Sequence, residues 1–584
     1  MLHILPSASS ESPLSCELRQ YEVDDVPAYE ALSYRWGDSN ERREITCNGA
    51  RHFVTASLRD ALIRLRLTDE VRIVWADALC IAQSDDEEKS TQVRRMGLIY
   101  HRAKRVAVWL GHVEAEHSSK VKRVFESLRC VSGDPEDATS DWYITDEAAA
   151  FGDSPPWHAL QLFFENSWFR RIWCIQEIRL SRDSVYYWGV EEYSKYVAVR
   201  LADWEIIGHP GAVAPISYIP SSTYAWRMNN RMWPDKCHLL QVLHNYRSWE
   251  ATDRRDKVYG ILGLPELGEE SSIVPVHYEK SAAEVYYDVA VAIIKWTGDL
   301  AILAHVRHEV NYDDHSGYES WIPQWDQWFP PFRKMRGGLS AASRAYGVYK
   351  FAAPREHATQ LCCRQLMVSG SIYGTVLSKS CSVGTLSNAL TYVTPGDGDQ
   401  TDDHPINFLI GYWREKVSPE APVGNVLSPA MKSMARTLTT GVVFDWGLYH
   451  EASEKDRVKY LQSFLDYIKL IYAHCEHKAE HRSAEFDISR FGDGWKSYEY
   501  FAKSYSSGCA FFLTKNGSLG VGPACLRKDD IIVVIEGAHT PFALRRRGEN
   551  YLLLGEVYMD EIMNGELIEE MEKEIRTAQQ FCLI

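Results

Sequence analysis

Trp173 and Glu177, four residues apart in Trp-Cys-Ile-Gln-Glu, are the sharpest chemical pair in the sequence. On a helix that spacing puts both side chains on one face, so an indole can wall a pocket that a carboxylate enters. A helical glutamate beside Arg170 and Arg171 equally suits a surface ion pair. Asp77 follows a run of strand-forming residues. It therefore falls at the carboxyl end of a predicted strand, where open α/β sheets place ligand contacts, though an acid there can also simply cap a loop. Cys80 is set aside as a nucleophile, because its block contains no histidine and a strand-end cysteine usually serves as a small apolar filler.

The elements that must position these residues are legible from pattern. EALSY (30–34) is a short apolar run stopped by Trp36-Gly37, as a buried strand should be. Residues 71–77 are apolar on both faces, the mark of an inner parallel strand covered by helices. Ser84 with Glu87 three residues on reads as a helix cap, and Val93, Met96, Tyr100 and Ala103 follow at helical spacing. Residues 106–110 return as a strand. Ser167 is expected to cap a helix running through Leu180, with a strand at 184–188. Upstream, 2–5 and 16–23 read as strands, and 44–49 as a hairpin with an Asn-Gly turn. Residues 55–67 read as a helix whose inner face carries Leu58, Ala61, Leu62 and Leu65. Strand, loop, strand, helix, strand argues for a right-handed parallel α/β unit.

Four ordered blocks carry a resemblance. ALSYRWG (31–37), WADALCIAQ (75–83), QVRRMGLIYHRA (92–103) and VAVWLG (106–111) resemble the fungal heterokaryon-incompatibility (HET) domain family, with Ala82 standing where the family pattern has Asn. The succession of elements, with a Trp-x-x-x-Glu helix before its last strand, is also similar to the Toll/interleukin receptor (TIR) fold. That second resemblance implies hydrolysis of the nicotinamide–ribose bond of NAD, with Glu177 as the catalytic carboxylate and NAD as substrate rather than cofactor. Positive charge builds on the ribose carbon as nicotinamide leaves, and a fixed carboxylate stabilises it. Tyr34, Trp36 and Trp173 would stack on the cationic ring, and Arg35, Asp77 and Gln83 would contact ribose or phosphates. Core packing remains the plain alternative for each aromatic. The resemblance further implies a self/non-self response leading to cell death, self-association, and a non-self recognition partner. A non-catalytic assembly module is the competing reading.

The 584-residue chain has room for two or three domains. The expected divisions are an α/β domain over 1–192, a mainly helical region over 193–344, and a β-rich barrel or sandwich over 345–584. A helical insert is expected near 403–495. Within the first of these, helices are expected near 119–130 and at 157–164, with a loop at 132–141. The Arg-Asp pair of DRRDKVYGILGL (253–264) suits capping as well as ligand contact. A formal charge of −16 argues against sequence-independent nucleic-acid binding, and the Arg545–Arg547 run is expected to be a solvated turn. The glycines from Gly517 to Gly522 read as a series of turns, not a dinucleotide loop. His474, His477 and His481 share a helical face but match no familiar metal spacing, so no metal is expected. The 13 scattered cysteines suit free thiols in a reducing compartment. With no secretory start and no apolar run of membrane-spanning length, the expectation is a cytoplasmic protein.

Overall fold

A computed structural model describes residues 1–584 except 10, 23, 131–141, 145–150, 152–155, 208–223, 225–235, 313–316, 328–359, 363, 384–404, 418–427, 444–448, 450–451, 480–493 and 564. The chain divides into two compact units, Met1–Val285 and Tyr286–Ile584.

The first unit is built on one mixed sheet. Its strands are β1 (Leu2–Ile4), β2 (Ser15–Leu18), β3 (Glu30–Tyr34), β4 (Arg42–Cys47), β5 (Ala50–Thr55), β6 (Arg72–Trp75) and β7 (Arg105–Gly111). After a small separate hairpin, β8 (Leu128–Cys130) and β9 (Trp142–Ile144), come β10 (Ser184–Trp188) and β11 (Glu191–Ser194). The order across the sheet is β11-β10-β7-β3-β6-β1-β2-β4-β5. The four strands β6, β3, β7 and β10 run parallel. Numbered by their succession in the chain, they stand 2-1-3-4, the order of flavodoxin-like sheets. The expected parallel unit is therefore the centre of a larger mixed sheet: β1 pairs antiparallel with β6, and β11 antiparallel with β10. These additions cover edges that the parallel block would leave open.

Every residue of β3 is buried, including Glu30. Its carboxylate is held by Arg72 of β6 at 2.5 Å and Arg105 of β7 at 3.1 Å, so one acid ties together the starts of three strands. The β4–β5 turn places Asn48 and Gly49 at positive φ, as an Asn-Gly hairpin requires. Helix α1 (Ala56–Leu65) is capped by Thr55 and buries the four residues its spacing predicted. A single turn, α2 (Asp77–Cys80), precedes α3 (Asp86–Arg102), whose cap is Asp85 rather than Ser84. The Asp85 carboxylate accepts from the amides of Glu87 and Glu88 at 3.0 Å, where a negative charge also suits the helix dipole. Helices α4 (Ala115–Ser127) and α5 (Trp157–Phe164) follow, while the loop expected at 132–141 lies outside the described residues.

The helix expected from Ser167 through Leu180 is broken. Asn166 caps a 3-10 turn over Ser167–Arg170, Arg171 is extended, and α6 (Cys174–Arg179) starts afresh. The cause lies some eighty positions away in the chain. The Glu250 amide donates to Arg170 O at 2.5 Å, and the Ile172 amide donates to Glu250 O at 2.9 Å. The segment beyond β11 is helical in short pieces, Val197–Ile207, Leu239–Asn245 and Asp256–Tyr259. The longer helix Ala282–Thr297 begins with a capping box in which Ser281 and Glu284 exchange hydrogen bonds.

In the second unit the long strand β13 (Gln365–Lys379), preceded by β12 (Gln360–Cys362), is the axis of a barrel. The later strands are β14 (Cys509–Thr514), β15 (Leu519–Pro523), β16 (Ile531–Ile535), β17 (Pro541–Arg547), β18 (Asn550–Glu556) and β19 (Gln579–Leu583). β13 pairs with β16 on one side and β19 on the other, while β16, β17 and β18 form an antiparallel meander. The ring closes where Tyr551 of β18 meets Leu583 of β19 in parallel. An odd-membered ring cannot be antiparallel throughout, so one parallel contact is required. The far end of β13 turns out of the ring to pair with β14, which in turn pairs with β15. Helices Pro405–Tyr412, Pro429–Leu438, Glu454–Ala479 and Gly494–Ser506 supply the helical insert. They pack on Tyr460, Phe464, Tyr467 and Tyr498.

Two readings of this half need correction. Gly520 and Gly522 lie inside β15 rather than in turns. A Cβ at Gly520 would stand 2.3 Å from the Phe512 ring, and one at Gly522 2.8 Å from Val557, so close strand packing demands glycine. Arg545 is not solvated: it forms a two-pronged pair with buried Asp530 at 2.9 and 2.8 Å. The side chains of His474, His477 and His481 lie outside the described residues. Among the described residues no helix is long and apolar enough to cross a membrane.

Candidate functional site

The carboxyl ends of β3 and β6 gather most of the residues singled out by type and spacing. Alternation along β3 sends Leu32 and Tyr34 to the face covered by α1 and Ser33 to the opposite face. There the Ser33 hydroxyl donates to Glu177 Oε2 of α6 in a short, buried hydrogen bond. The same oxygen of Ser33 accepts from the Trp168 indole at 2.8 Å. Trp168, Ser33 and Glu177 thus form a relay, and all three are buried. The position adjoins the point where strand order reverses between β3 and β7, the customary ligand position in open α/β sheets.

Glu177 is 2% exposed. Burial raises its pKa above the usual carboxylate range; Arg171 and the hydrogen bonds from Ser33 and Cys174 oppose that rise, and the charge of Asp77 adds to it. Arg171 donates to Tyr34 O and, at 3.8 Å, to Cys174 Sγ. Burial works against its charge, but the neighbouring Cys174, Glu177 and Asp77 outweigh burial and hold the guanidinium firmly protonated. The glutamate is therefore an interior group held in an electrostatic network, not half of a surface ion pair.

Asp77 forms the more open rim. Its Oδ2 accepts from the Trp36 indole at 2.9 Å, its Oδ1 from the Ala78 amide at 2.8 Å, and its carbonyl from the Gln83 amide group at 3.0 Å. Loop capping and presentation of an indole are thus combined in one residue. Trp36 is 38% exposed. The buried Tyr34 hydroxyl lies near Asp77 without reaching hydrogen-bond geometry. Burial, with Asp77 adding, pushes its pKa far above the ordinary phenol range. Arg35 is exposed, and its carbonyl accepts from Ser57 at 2.6 Å.

Trp173 points elsewhere. Its indole donates to Asp256 at 3.0 Å, and Tyr278 donates to the other oxygen of that acid at 2.5 Å. Trp173 does stand one helical turn before Glu177, but the indole joined to Glu177 through Ser33 is Trp168. Asp256 is partly buried, and burial raises its pKa to about 6 against the opposing hydrogen bonds from Tyr278 and Trp173. Its neighbour Arg255 pairs with Asp253 at 2.6 Å, so that Arg-Asp segment staples local structure.

Sequence reasoning missed Ser33, Trp168, Arg171 and Cys174. One signal was available for Ser33: it is the polar position on an otherwise apolar face of β3. No local pattern marks Trp168, whose placement depends on the contact with Glu250.

Residues 29–177 match the family described as heterokaryon incompatibility protein (HET), a match that ends on Glu177. Residues 452–578 match the Het-6 beta-barrel domain. The chain is also similar to heterokaryon incompatibility protein 6, OR allele, of Neurospora crassa. The two are 25% identical over an alignment of 673 positions that covers 98% of this chain and 95% of that protein. No solved structure matches the chain.

Proposed function

We propose that this chain, a HET domain followed by a Het-6 barrel domain, acts in fungal non-self recognition as an incompatibility factor. The observation that carries the reading is its similarity along nearly the full length of both chains to a protein named for heterokaryon incompatibility. In this reading the α/β unit delivers the response, and the second unit recognises a non-self partner of unspecified identity. Expression in a fungal strain that carries an incompatible background should arrest growth after cell fusion. Unimpaired growth across a panel of such backgrounds would count against the reading.

A second, chemical reading is favoured by the placement of Glu177 beside Ser33 at the strand ends. Here the α/β unit cleaves the nicotinamide–ribose bond of NAD with water, giving nicotinamide, ADP-ribose and a proton. Glu177 stabilises the positive charge that builds on the ribose carbon. Arg171 favours the ionised form of the glutamate against the effect of burial. Trp36 offers its part-exposed ring to the nicotinamide, while Tyr34 stays packed under α1; Asp77, Arg35 and Gln83 are the candidates for contacting ribose and phosphates. Trp173 acts through Asp256 rather than on the substrate. With Glu177 only 2% exposed, the closed arrangement is a resting state, and self-association is the step that opens it. Nicotinamide release that rises with protein concentration, and is lost in Glu177→Gln, tests this reading.

A further inference from the structure

Strands β2 and β4 run parallel, with Cys16 directly opposite Cys47. The flanking ladder bonds fix that register: the Thr46 amide donates to Leu14 O at 2.9 Å and the Asn48 amide to Cys16 O at 3.0 Å. Residues opposite one another project to the same face of a sheet, and both thiols belong to one buried core. Neither is in a disulfide. Neighbouring strands stand about 4.8 Å apart, and a disulfide needs Cα atoms roughly 4.4–6.8 Å apart. The strand spacing thus lies within the range a disulfide can bridge.

We propose that Cys16 and Cys47 are an oxidisable dithiol, which a peroxide converts into an intramolecular disulfide joining β2 to β4. The peroxide first oxidises the Cys47 sulfur to a sulfenic acid, releasing water. The Cys16 thiol then displaces hydroxide from that sulfur; the thiol's proton leaves with it as a second water, and the S–S bond forms. Two thiols are oxidised, and the peroxide is reduced to two waters. Cys47 is the point of entry because it lies on the terminal β4–β5 hairpin of the sheet, where local opening costs least. Burial keeps both thiols protonated in the closed state, pushing Cys16 up to about 12 with Cys47 adding to the rise. Oxidation therefore waits on opening of the hairpin.

The bond would close a loop of 31 positions (47 − 16) holding all of β3 and the Arg35-Trp36-Gly37 segment. The oxidised protein thus has the strand that carries Ser33 and Tyr34 anchored at both of its chain flanks.

The test uses the full-length wild-type chain, so no variant need fold. The protein is treated with hydrogen peroxide, denatured with an alkylating agent and digested without reductant. Mass spectrometry should find the Cys16 and Cys47 peptides linked, with both thiols lost to alkylation. Dithiothreitol should restore both. Recovery of Cys16 and Cys47 as separate alkylated peptides, after the exposed Cys381 has been oxidised, would overturn the proposal. So would linkage of either one to a different cysteine.

Discussion

Replacing Ser33 by alanine removes one hydroxyl that serves two buried partners, and its cost follows from the bonds around it. Glu177 loses a short hydrogen bond, and the Trp168 indole loses its acceptor at 2.8 Å. A hydrogen bond to a charged group is worth about 1.5–3 kcal/mol, and a buried donor left unsatisfied costs about 1–3 kcal/mol. Glu177 can escape part of the loss by binding a proton, since burial already raises its pKa. A net destabilisation of about 3 kcal/mol is therefore expected. Denaturant unfolding, followed by the fluorescence change of the first unit, measures it. Trp168→Phe provides the second arm of a double-mutant cycle, in which direct contact predicts a coupling of about 0.5–3 kcal/mol. If Ser33→Ala falls within about 0.5 kcal/mol of wild type, the range of an ordinary surface change, the relay is not a structural linchpin and the reasoning fails.

Three further outcomes follow from other buried contacts. Glu30→Ala leaves Arg72 without its carboxylate partner and Arg105 with a weakened environment; urea unfolding should show a loss of about 3–5 kcal/mol, and a loss below 1 kcal/mol would refute the pinning role. Asp256 has its pKa raised from 3.8 to about 6 on folding, so its proton-linked stability is full below pH 3.8 and is lost as pH rises through about 6. Two units correspond to about 3 kcal/mol; Asp256→Asn should flatten stability against pH across this window, and an unchanged profile would contradict the assignment. Gly520→Ala forces a methyl against the Phe512 ring, and a loss of about 1–3 kcal/mol in the second unit should appear as a lower melting transition. No change would mean that the ring can move aside.

The sheet centre was legible because its signals are local. EALSY, the apolar run ending at Asp77, and Val93, Met96 and Tyr100 at helical spacing are each set by neighbours in the chain, and each forms the element its pattern predicts. Strand β1 was also visible, but its antiparallel seat beside β6 was not, because pairing partners across a sheet leave no local trace. The candidate site was half legible. Residues near Asp77 come from the ends of predicted strands, and they meet as strand ends do. The helical spacing of Trp173 and Glu177 holds, since the Glu177 amide donates to Trp173 O, but the Trp173 indole is drawn to Asp256, a partner some eighty positions on that no local pattern could reveal. Asp85 and Asn166 are the caps, each one residue before or after the expected Ser84 and Ser167; Ser, Asp and Asn cap about equally well, so local pattern does not choose between neighbours.

The claim on which the chemical account rests is that Glu177 acts on NAD once the closed site opens. Its most direct test is the time course of nicotinamide release by the purified full-length chain, across a range of protein concentrations, beside Glu177→Gln. The account predicts release by wild type that steepens with concentration, and none by a variant whose unfolding midpoint is preserved. Equal release by both proteins, or none by wild type at any concentration, would contradict it.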